Sequence, residues 1–518
     1  MDAPLAVATV VKGVGIVAAA AAGGGAFALP AARQRALSAL VALLLTPALV
    51  VSELWDSEQI RYLRDHPGQA ALAAAAAALV VGALAVVFRR RQWLLPLAVV
   101  LTLPVRIPVA AGGTTANLLL PLYVVVAGGV VAYAWAAIRA KGDGWNERGP
   151  GLVELALMGF VVLYAVQSLY SADFEQAVKN VAFFYVPFAL LLKLLVTIRW
   201  SRRLVVQCFG LAVVLALVFV GIGFWEYATR QLFWNRKVIE SNQFESYFRV
   251  NSLFFDPNIY GRFLAIVMVG LASTLLWARR ERDVLVTAAA LVVLWGGLVL
   301  TFSQSSFAAL LVGLGTLAAL RWNPFRQRWL LVGVAVAAVA AAVVFADDLH
   351  ITSRHAVHRT SGGRFKLVRG GLRMFADRPV WGFGAGSFAE RFRAREHVGS
   401  PQAATASHTI PVTVAAEQGV LGLAAYLLVV GATLRLLFSG LGPLRGRDPP
   451  RRLVSRAFLA AAFAALVVHT LLYAAFLEDP IAWTLIGVGI VLARNGPLLE
   501  WAAAPHGSRS QQPAGGAV

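Results

Sequence analysis

The sequence predicts an all-α, polytopic transmembrane helix bundle of about 12–15 spans with a long, partly helical extracytoplasmic loop. Hydrophobic residues make up 59% and charged residues only 14% of the 518 positions, whereas a soluble domain carries roughly a quarter charged residues. The mean hydropathy is +0.71. Apolar runs of roughly 17 to 25 residues recur along almost the whole chain, and a helix that spans a bilayer needs about 20. These observations favour a membrane bundle over any soluble fold.

Windows of about 19 residues predict fifteen apolar helices. They lie near residues 4–29, 36–52, 70–88, 93–111, 117–138, 151–170, 178–197, 203–225, 259–278, 284–301, 305–320, 329–346, 410–434, 457–476 and 481–494. The first is interpreted as a retained helix, because its charged region is poor and its apolar run is long for a signal peptide.

Five segments follow from this pattern. They are extra N-terminal membrane helices (1–69), a helix bundle (70–346) with an outer loop (226–258), a basic extracytoplasmic loop (347–409), C-terminal membrane helices (410–495) and a disordered cytoplasmic tail (496–518). The tail is rich in Ser, Gln, Gly and Pro, which is a composition typical of disorder.

Lys and Arg in short loops predict the orientation, because such loops stay on the cytoplasmic side. Alternate connections are strongly basic, whereas the intervening ones, such as 112–116, 171–176 and 477–480, are poor in basic residues. The pattern places the C-terminus inside and both long loops outside. We therefore predict a multi-pass protein of the cytoplasmic membrane.

The basic loop departs from the charge pattern of an outer segment. Residues 347–409 carry ten Lys or Arg against five Asp or Glu, and the outer loop 226–258 adds Arg249. One interpretation is a solvated face on a loop long enough to cross regardless of charge. The other is an anion site, because converging Arg side chains bind phosphate oxygens. An anion at the outer face suggests a lipid pyrophosphate, and these charges lie on the wrong side of the membrane for nucleic acid.

Residues 364–375 of that loop have helical spacing, with Arg369 and Arg373 along one side. The spacing predicts a short amphipathic helix at the membrane surface. The glycine-rich run 382–386 follows it. Since that run follows no buried strand, we interpret it as a turn and not as a nucleotide loop.

Five of the eight histidines lie in the basic loop. His350, His355 and His358 have no accompanying carboxylate or Cys spacing, so no metal or other cofactor is expected. His408 stands where the loop re-enters the membrane. A neutral imidazole there could accept a proton from a sugar hydroxyl, or it could cap the following helix.

These motifs resemble the O-antigen ligase and polymerase superfamily of bacterial membrane glycosyltransferases. His408-Thr409, nine residues and Gly419-Val420-Leu421-Gly422 are similar to the ligase signature. Gly363-Arg364 followed by 377–384 resembles the outer-loop pattern, and Arg249 followed by Pro257-Asn258 resembles a motif before a central helix. The turn 303–305 lies where relatives carry a polar turn. The resemblance covers roughly residues 90–495.

The resemblance implies metal-independent, inverting transfer of a glycan from undecaprenyl diphosphate to an acceptor sugar hydroxyl. It makes His408 the general base, and Arg249 and Arg364 the ligands of the diphosphate. Arg369 and Arg373 are assigned to diphosphate or surface-lipid contact. The expected partners are the lipid-linked donor, a glycan or glycolipid acceptor and the bilayer.

Several questions stay open at this stage. Thr409 replaces the usual amide or Ser after the histidine, and the N-terminal helices exceed the usual complement, so the motifs do not separate ligase from polymerase. The oligomeric state is not predicted.

A transporter or flippase of an anionic lipid-linked polysaccharide is the main alternative. It is disfavoured because matching broken helices in two halves are not found. Glu417, nine positions after His408, is interpreted as a structural contact.

Overall fold

The computed structural model describes residues 3–111, 114–140, 148–233, 238–239, 242, 248–322, 354–396, 409–445 and 449–494. The helices in these ranges are α1 (Ala3–Ala28), α2 (Ala32–Glu53), α3 (Glu58–Asp65), α4 (Pro67–Arg90), α5 (Leu94–Thr102), α6 (Leu120–Arg139), α7 (Leu152–Ser168), α8 (Phe174–Thr197), α9 (Arg202–Thr229), α10 (Pro257–Leu276), α11 (Glu281–Leu300), α12 (Gln304–Arg321), α13 (Arg354–Asp377), α14 (Phe388–Glu396), α15 (Ile410–Phe438), α16 (Arg451–Leu472) and α17 (Pro480–Arg494). A π-helical turn at Val181–Tyr185 interrupts α8.

Eleven of these helices are long and apolar enough to cross a membrane, and α7 and α17 are shorter apolar helices. The prediction of an all-α, polytopic membrane protein is therefore confirmed. The predicted helix 329–346 and the predicted tail 496–518 lie outside the described residues. So do residues 347–353 and 397–408 of the basic loop, which include His408.

The predicted helix 93–111 is wrong in its second half. Helix α5 ends at Thr102, and a two-stranded antiparallel hairpin follows, with β1 at Ile107–Ala111 and β2 at Thr114–Leu118. Pro104 and Pro108 explain the change. Each proline lacks an N–H group for helical hydrogen bonds, and Pro108 also disfavours helical backbone at Ile107, which lies in β1. Within the described ranges, the hairpin is the exception to an otherwise helical fold.

Successive long helices run antiparallel and divide the bundle into two ends. We call one the loop end; it contains the helix ends at Ser168, Thr229, Leu300 and Leu472 and the helix starts at Pro257, Gln304, Ile410 and Pro480. The other is the basic end; it contains Arg89–Arg91, Arg139, Arg202, Arg279–Arg280, Arg321, Arg451 and Arg494. The alternation has the order that the charge pattern predicts. The side of the membrane on which each end lies stays a prediction.

The N-terminal helices pack directly on the bundle. A Cβ on Gly24 of α1 would lie 3.8 Å from the Met158 Cβ atom of α7. Lys12 of α1 forms a 2.8 Å ion pair with Glu53 at the end of α2. Because the carboxylate of Glu53 is buried, this pair ties the first two helices together near the loop end.

Candidate active site at the loop end

The connection between α11 and α12 is a polar turn, which we call the serine turn (301–306). Ser303 begins α12 by accepting a hydrogen bond from the Ser306 backbone N–H, as N-cap serines do. Phe302 has a φ of 49°, a left-handed conformation that is uncommon outside glycine. The Ser303 hydroxyl lies 2.8 Å from the Ser306 hydroxyl and donates to the Asn258 Oδ1 atom at 2.9 Å. The turn is thereby fixed against the start of α10.

Arg249 lies against the serine turn. The Asn242 side chain brackets its backbone, with its Nδ2 donating to the Arg249 carbonyl at 3.0 Å and its Oδ1 accepting from the Arg249 N–H at 3.1 Å. The guanidinium donates from Nε to the Thr301 carbonyl at 3.0 Å and from Nη2 to the Asn258 Oδ1 atom at 3.4 Å. Because both acceptors are neutral, they orient the guanidinium without neutralising its positive charge.

Three of the five guanidinium N–H groups of Arg249 have no acceptor among the described residues. Within the same residues, no carboxylate forms an ion pair with it. Its side chain is half-buried. An oriented arginine with unused donors and no counter-charge is suited to an anionic ligand, because a planar guanidinium matches phosphate oxygens.

A second arginine, Arg262, lies one and a half turns into α10. It pairs with Asp479 at 2.7 Å between Nη2 and Oδ2, and both side chains are at most 2% exposed. Its Nη1 atom also donates to the Ala475 carbonyl at 2.7 Å. The pair joins α10 to the start of α17. Arg262 and Asp479 are not among the residues predicted from the sequence, although a charge inside an apolar helix is a recognised signal of function or structure.

Other charged groups in the connection between α16 and α17 lie near this pair. Tyr185 donates to the Glu478 Oε1 atom at 3.2 Å, and burial raises the pKa of the Glu478 carboxyl. Arg106, in the connection before the hairpin, interacts electrostatically with Asp479 and Arg262, and burial lowers the pKa of its guanidinium. The interior of the loop end is therefore polar and brings charges of both signs close together.

The end of α16 links the serine turn to the start of α15. The His469 Nε2 atom lies 3.2 Å from the Ser305 hydroxyl and 3.3 Å from the Ser306 hydroxyl. Two residues later, the Leu471 carbonyl accepts a hydrogen bond from the Thr409 hydroxyl at 3.1 Å. Thr409 directly follows His408, which lies outside the described residues. His408, the predicted base, is therefore the sequence neighbour of Thr409, which is hydrogen-bonded to the end of α16. The same end of α16 contacts the serine turn through His469.

Helix α13 of the basic loop packs on α15. A Cβ on Gly371 would lie 2.6 Å from the Val412 Cγ1 atom, four residues after His408. Leu367 and Met374 are buried on this side, so α13 is amphipathic as predicted, with the contact made by Leu367, Gly371 and Met374. Leu372, on another side of α13, is 51% exposed.

The predicted arginines of α13 have different positions. Arg369 and Arg373 are exposed, and the Arg373 Nη1 atom lies 3.7 Å from the Glu396 carboxylate. Arg364 belongs to the same helix, but its side chain lies outside the described part of the structure. Among the described side chains, no hydrogen bond or shared partner joins Arg369 or Arg373 to Arg249.

The glycine-rich run is a turn wedged between helices, as predicted. Gly382, Gly384 and Gly386 all have positive φ. A Cβ on Gly382 would lie 2.2 Å from the Glu417 carbonyl oxygen, and one on Gly384 would lie 2.3 Å from the Ser171 Cα atom. Only glycine permits these backbone approaches. The run docks the basic loop onto α15 and the α7–α8 connection.

Glu417 has a structural role, as predicted. Its carboxylate accepts hydrogen bonds from the Gly386 N–H at 2.9 Å and the Phe388 N–H at 3.0 Å. These groups belong to the start of α14, where backbone N–H groups need acceptors. Gly419, two residues later, has φ 66° and ψ −162°, and its backbone contacts the 379–380 segment. Gly419, the first glycine of the G-x-x-G part of the signature, thus contacts the chain directly before the glycine-rich run. We call that run the glycine turn (382–386).

Comparison with known proteins identifies the central part of this arrangement. Residues 289–427 match the family model described as O-Antigen ligase, whereas a search of curated proteins found no match. The matched region runs from α11 to α15 and includes the serine turn, the basic loop and the glycine turn. Residues 289–427 are therefore similar to the O-antigen ligase family, and the resemblance to the O-antigen ligase and polymerase superfamily is confirmed over this region.

Proposed function

We propose that this protein transfers a glycan from an undecaprenyl diphosphate carrier to an acceptor sugar hydroxyl at the loop end, on the outer face of the cytoplasmic membrane. The observation that carries the proposal is Arg249. It is an oriented arginine without a carboxylate partner among the described residues, and it contacts the serine turn inside the region that is similar to the O-antigen ligase family. Transfer from such a carrier releases an anionic diphosphate, which needs a cation at that position.

Arg249 would bind the diphosphate and stabilise the negative charge that grows on it as the glycosidic bond breaks. Arg364 would contribute a second guanidinium from α13, and Arg369 and Arg373 would contact the diphosphate or the lipid surface. His408 would accept the proton of the attacking hydroxyl, because a neutral alcohol is a poor nucleophile. The reaction would invert the anomeric carbon and need no metal ion.

The hydrogen bond from Thr409 to the Leu471 carbonyl supports the assignment of His408. This bond holds the start of α15 beside the end of α16, which carries His469. Packing of Gly371 near Val412 supports a role for α13, because Arg364 lies two turns earlier on the same helix. No described feature favours a transporter over a transferase.

Purified protein in lipid nanodiscs tests the proposal with an undecaprenyl diphosphate-linked repeat unit as donor. His408→Ala should abolish transfer and preserve folding, whereas His66→Ala, which changes an exposed histidine between α3 and α4, should transfer normally. Full transfer by His408→Ala would remove the base from the proposal. Chain extension with the donor alone would indicate a polymerase, and dependence on an added acceptor would indicate a ligase.

A further inference from the structure

A cavity of about 470 Å³ lies between α5, α9, α10, α16 and α17. Its wall is almost entirely apolar and includes Trp200, Phe209, Ile266 and Phe458. The hydroxyls of lining residues such as Ser273, Thr274 and Thr484 donate to carbonyls of their own helices. The wall of the cavity therefore has few polar groups without a hydrogen bond, as suits an apolar ligand. The volume of the cavity lies in the range of ligand pockets.

On α9 and α16 the cavity lies toward the basic end, whereas on α17 its lining begins at Ile481, near the loop end. None of its lining residues belongs to the serine turn. On α9 its lining residues fall between 205 and 213, and on α16 between 454 and 459, which is the basic-end half of each helix. Val206, one of the lining residues, is 61% exposed. The cavity is thus open to the surroundings of the bundle at α9, where a membrane protein meets lipid.

Two arginines stand at its basic edge. Arg202 precedes the lining residue Val206 by four positions on α9, and Arg451 precedes the lining residue Ser455 by four positions on α16. Residues four apart share a helix face. Each arginine therefore lies one turn beyond the cavity on the face that lines it, and within the described ranges neither has an ion pair with a carboxylate.

We propose that this cavity binds a chain of an anionic phospholipid from the leaflet at the basic end, with the phosphate at Arg202 and Arg451. An apolar cavity next to unpaired positive charge fits an amphiphile that has an apolar chain and an anionic head. Juxtamembrane arginines attract such lipids. The donor lipid fits this position less well, because its diphosphate would have to reach Arg249 at the opposite end.

The site would stabilise the basic-end half of α10, whose other end carries Asn258 and Arg262. It lies outside the machinery proposed for transfer, so it stands or fails separately from that proposal. The bound lipid would act as a structural ligand that binds folded protein and raises its stability.

Native mass spectrometry of lipid-depleted protein tests the inference with phosphatidylglycerol and phosphatidylcholine of identical chains. One phosphatidylglycerol should bind, at least tenfold more tightly than phosphatidylcholine. Arg202→Gln/Arg451→Gln should weaken phosphatidylglycerol by about tenfold to thirtyfold, as expected for two surface arginines. The matched control Arg280→Gln/Arg282→Gln removes two exposed arginines at the same end, beside and within α11, and should bind like wild type.

Val267→Phe fills the cavity from its wall and leaves both arginines intact. It should weaken the binding of both lipids, and gel filtration of each variant checks folding. Equal binding of the two lipids, or equal binding by the two double variants, would overturn the inference. Displacement of phosphatidylglycerol by undecaprenyl diphosphate, with loss of both in Val267→Phe, would instead assign the cavity to the donor.

Discussion

Arg249 and Arg262 lie thirteen positions apart near the start of α10, and their burial and their partners differ. Arg262 is fully buried and paired with Asp479 at 2.7 Å. Arg249 is half-buried, is oriented by the Thr301 carbonyl and the Asn258 amide, and has no carboxylate partner among the described residues. One charge is neutralised inside the fold, and the other has neutral hydrogen-bond acceptors only, among the described residues.

The difference teaches how to separate structural from functional arginines in a basic membrane protein. A buried arginine needs a counter-charge within the fold, because desolvation of an unpaired charge is costly. An arginine fixed by neutral acceptors keeps its charge for an external anion. We therefore expect Arg262 variants to lose stability and Arg249 variants to lose ligand binding.

Removal of one partner of the buried pair should have the largest effect. Arg262→Ala leaves the buried Asp479 carboxylate without its direct ion-pair partner, which should cost about 3–5 kcal/mol. Thermal unfolding followed by fluorescence-detected gel filtration measures the loss. The double variant Arg262→Met/Asp479→Leu removes both charges and should recover most of the stability. A single variant as stable as wild type would contradict the structural role of the pair.

Gly419→Ala should destabilise the contact between the glycine turn and α15. Its Cβ would lie 2.2 Å from the Val380 carbonyl oxygen, and its backbone conformation is almost restricted to glycine. We expect a loss of about 1–3 kcal/mol, together with loss of activity because the basic loop would undock. Gly431→Ala in the same helix has open space around its Cβ and serves as control. Similar unfolding temperatures for the two variants would argue against the docking role.

Asn258→Asp should give Arg249 the environment of Arg262. The new carboxylate would keep an acceptor for the Arg249 Nη2 atom but would add a counter-charge where the amide oxygen now lies 3.4 Å away. Competition with the diphosphate should raise the KM for donor by about tenfold, which corresponds to about 1.4 kcal/mol. Unfolding temperature should stay the same or rise. An unchanged KM, measured with saturating acceptor, would mean that the charge of Arg249 does not face the donor.

Glu478→Gln should have the smallest effect on the unfolding temperature, and the size of that effect should depend on pH. Because burial raises the pKa of the Glu478 carboxyl, the folded state holds the proton more tightly than the unfolded state does. The Glu478 carboxyl therefore contributes to the free energy of unfolding at low pH, and this contribution is lost as the pH rises through the raised pKa. The glutamine variant should therefore gain unfolding temperature relative to wild type at pH 8 but not at pH 4. A gain of equal size at both values would exclude this cause.

Composition and run length predict most of the bundle because a bilayer-spanning helix is defined by length and polarity alone. The error at 93–111 arose from treating Pro104 and Pro108 as interruptions of a helix instead of its end. The glycine run 382–386 and Glu417 were predicted correctly as a turn and a structural contact. The glycine run was recognised from its local turn signal, and Glu417 from its helical spacing relative to His408.

The network around Arg249 is long-range and could be predicted only in part. Arg249 and the serine turn were singled out separately, but their contact joins residues 52 positions apart. Pairing of Arg262 with Asp479 spans still more of the chain and leaves no local pattern beyond a charge inside an apolar helix. The roles of His408 and Arg364 stay predictions, because their side chains lie outside the described residues.

Binding of undecaprenyl diphosphate to purified Arg249→Ala protein, measured with its unfolding temperature, tests the central claim most directly. The control Arg393→Ala removes an arginine of α14 that pairs with Glu390. Arg249→Ala should bind the diphosphate at least tenfold more weakly than wild type, as the loss of one charge-assisted contact requires, at an unchanged unfolding temperature. Binding equal to that of wild type and of Arg393→Ala would contradict the claim that Arg249 holds the diphosphate.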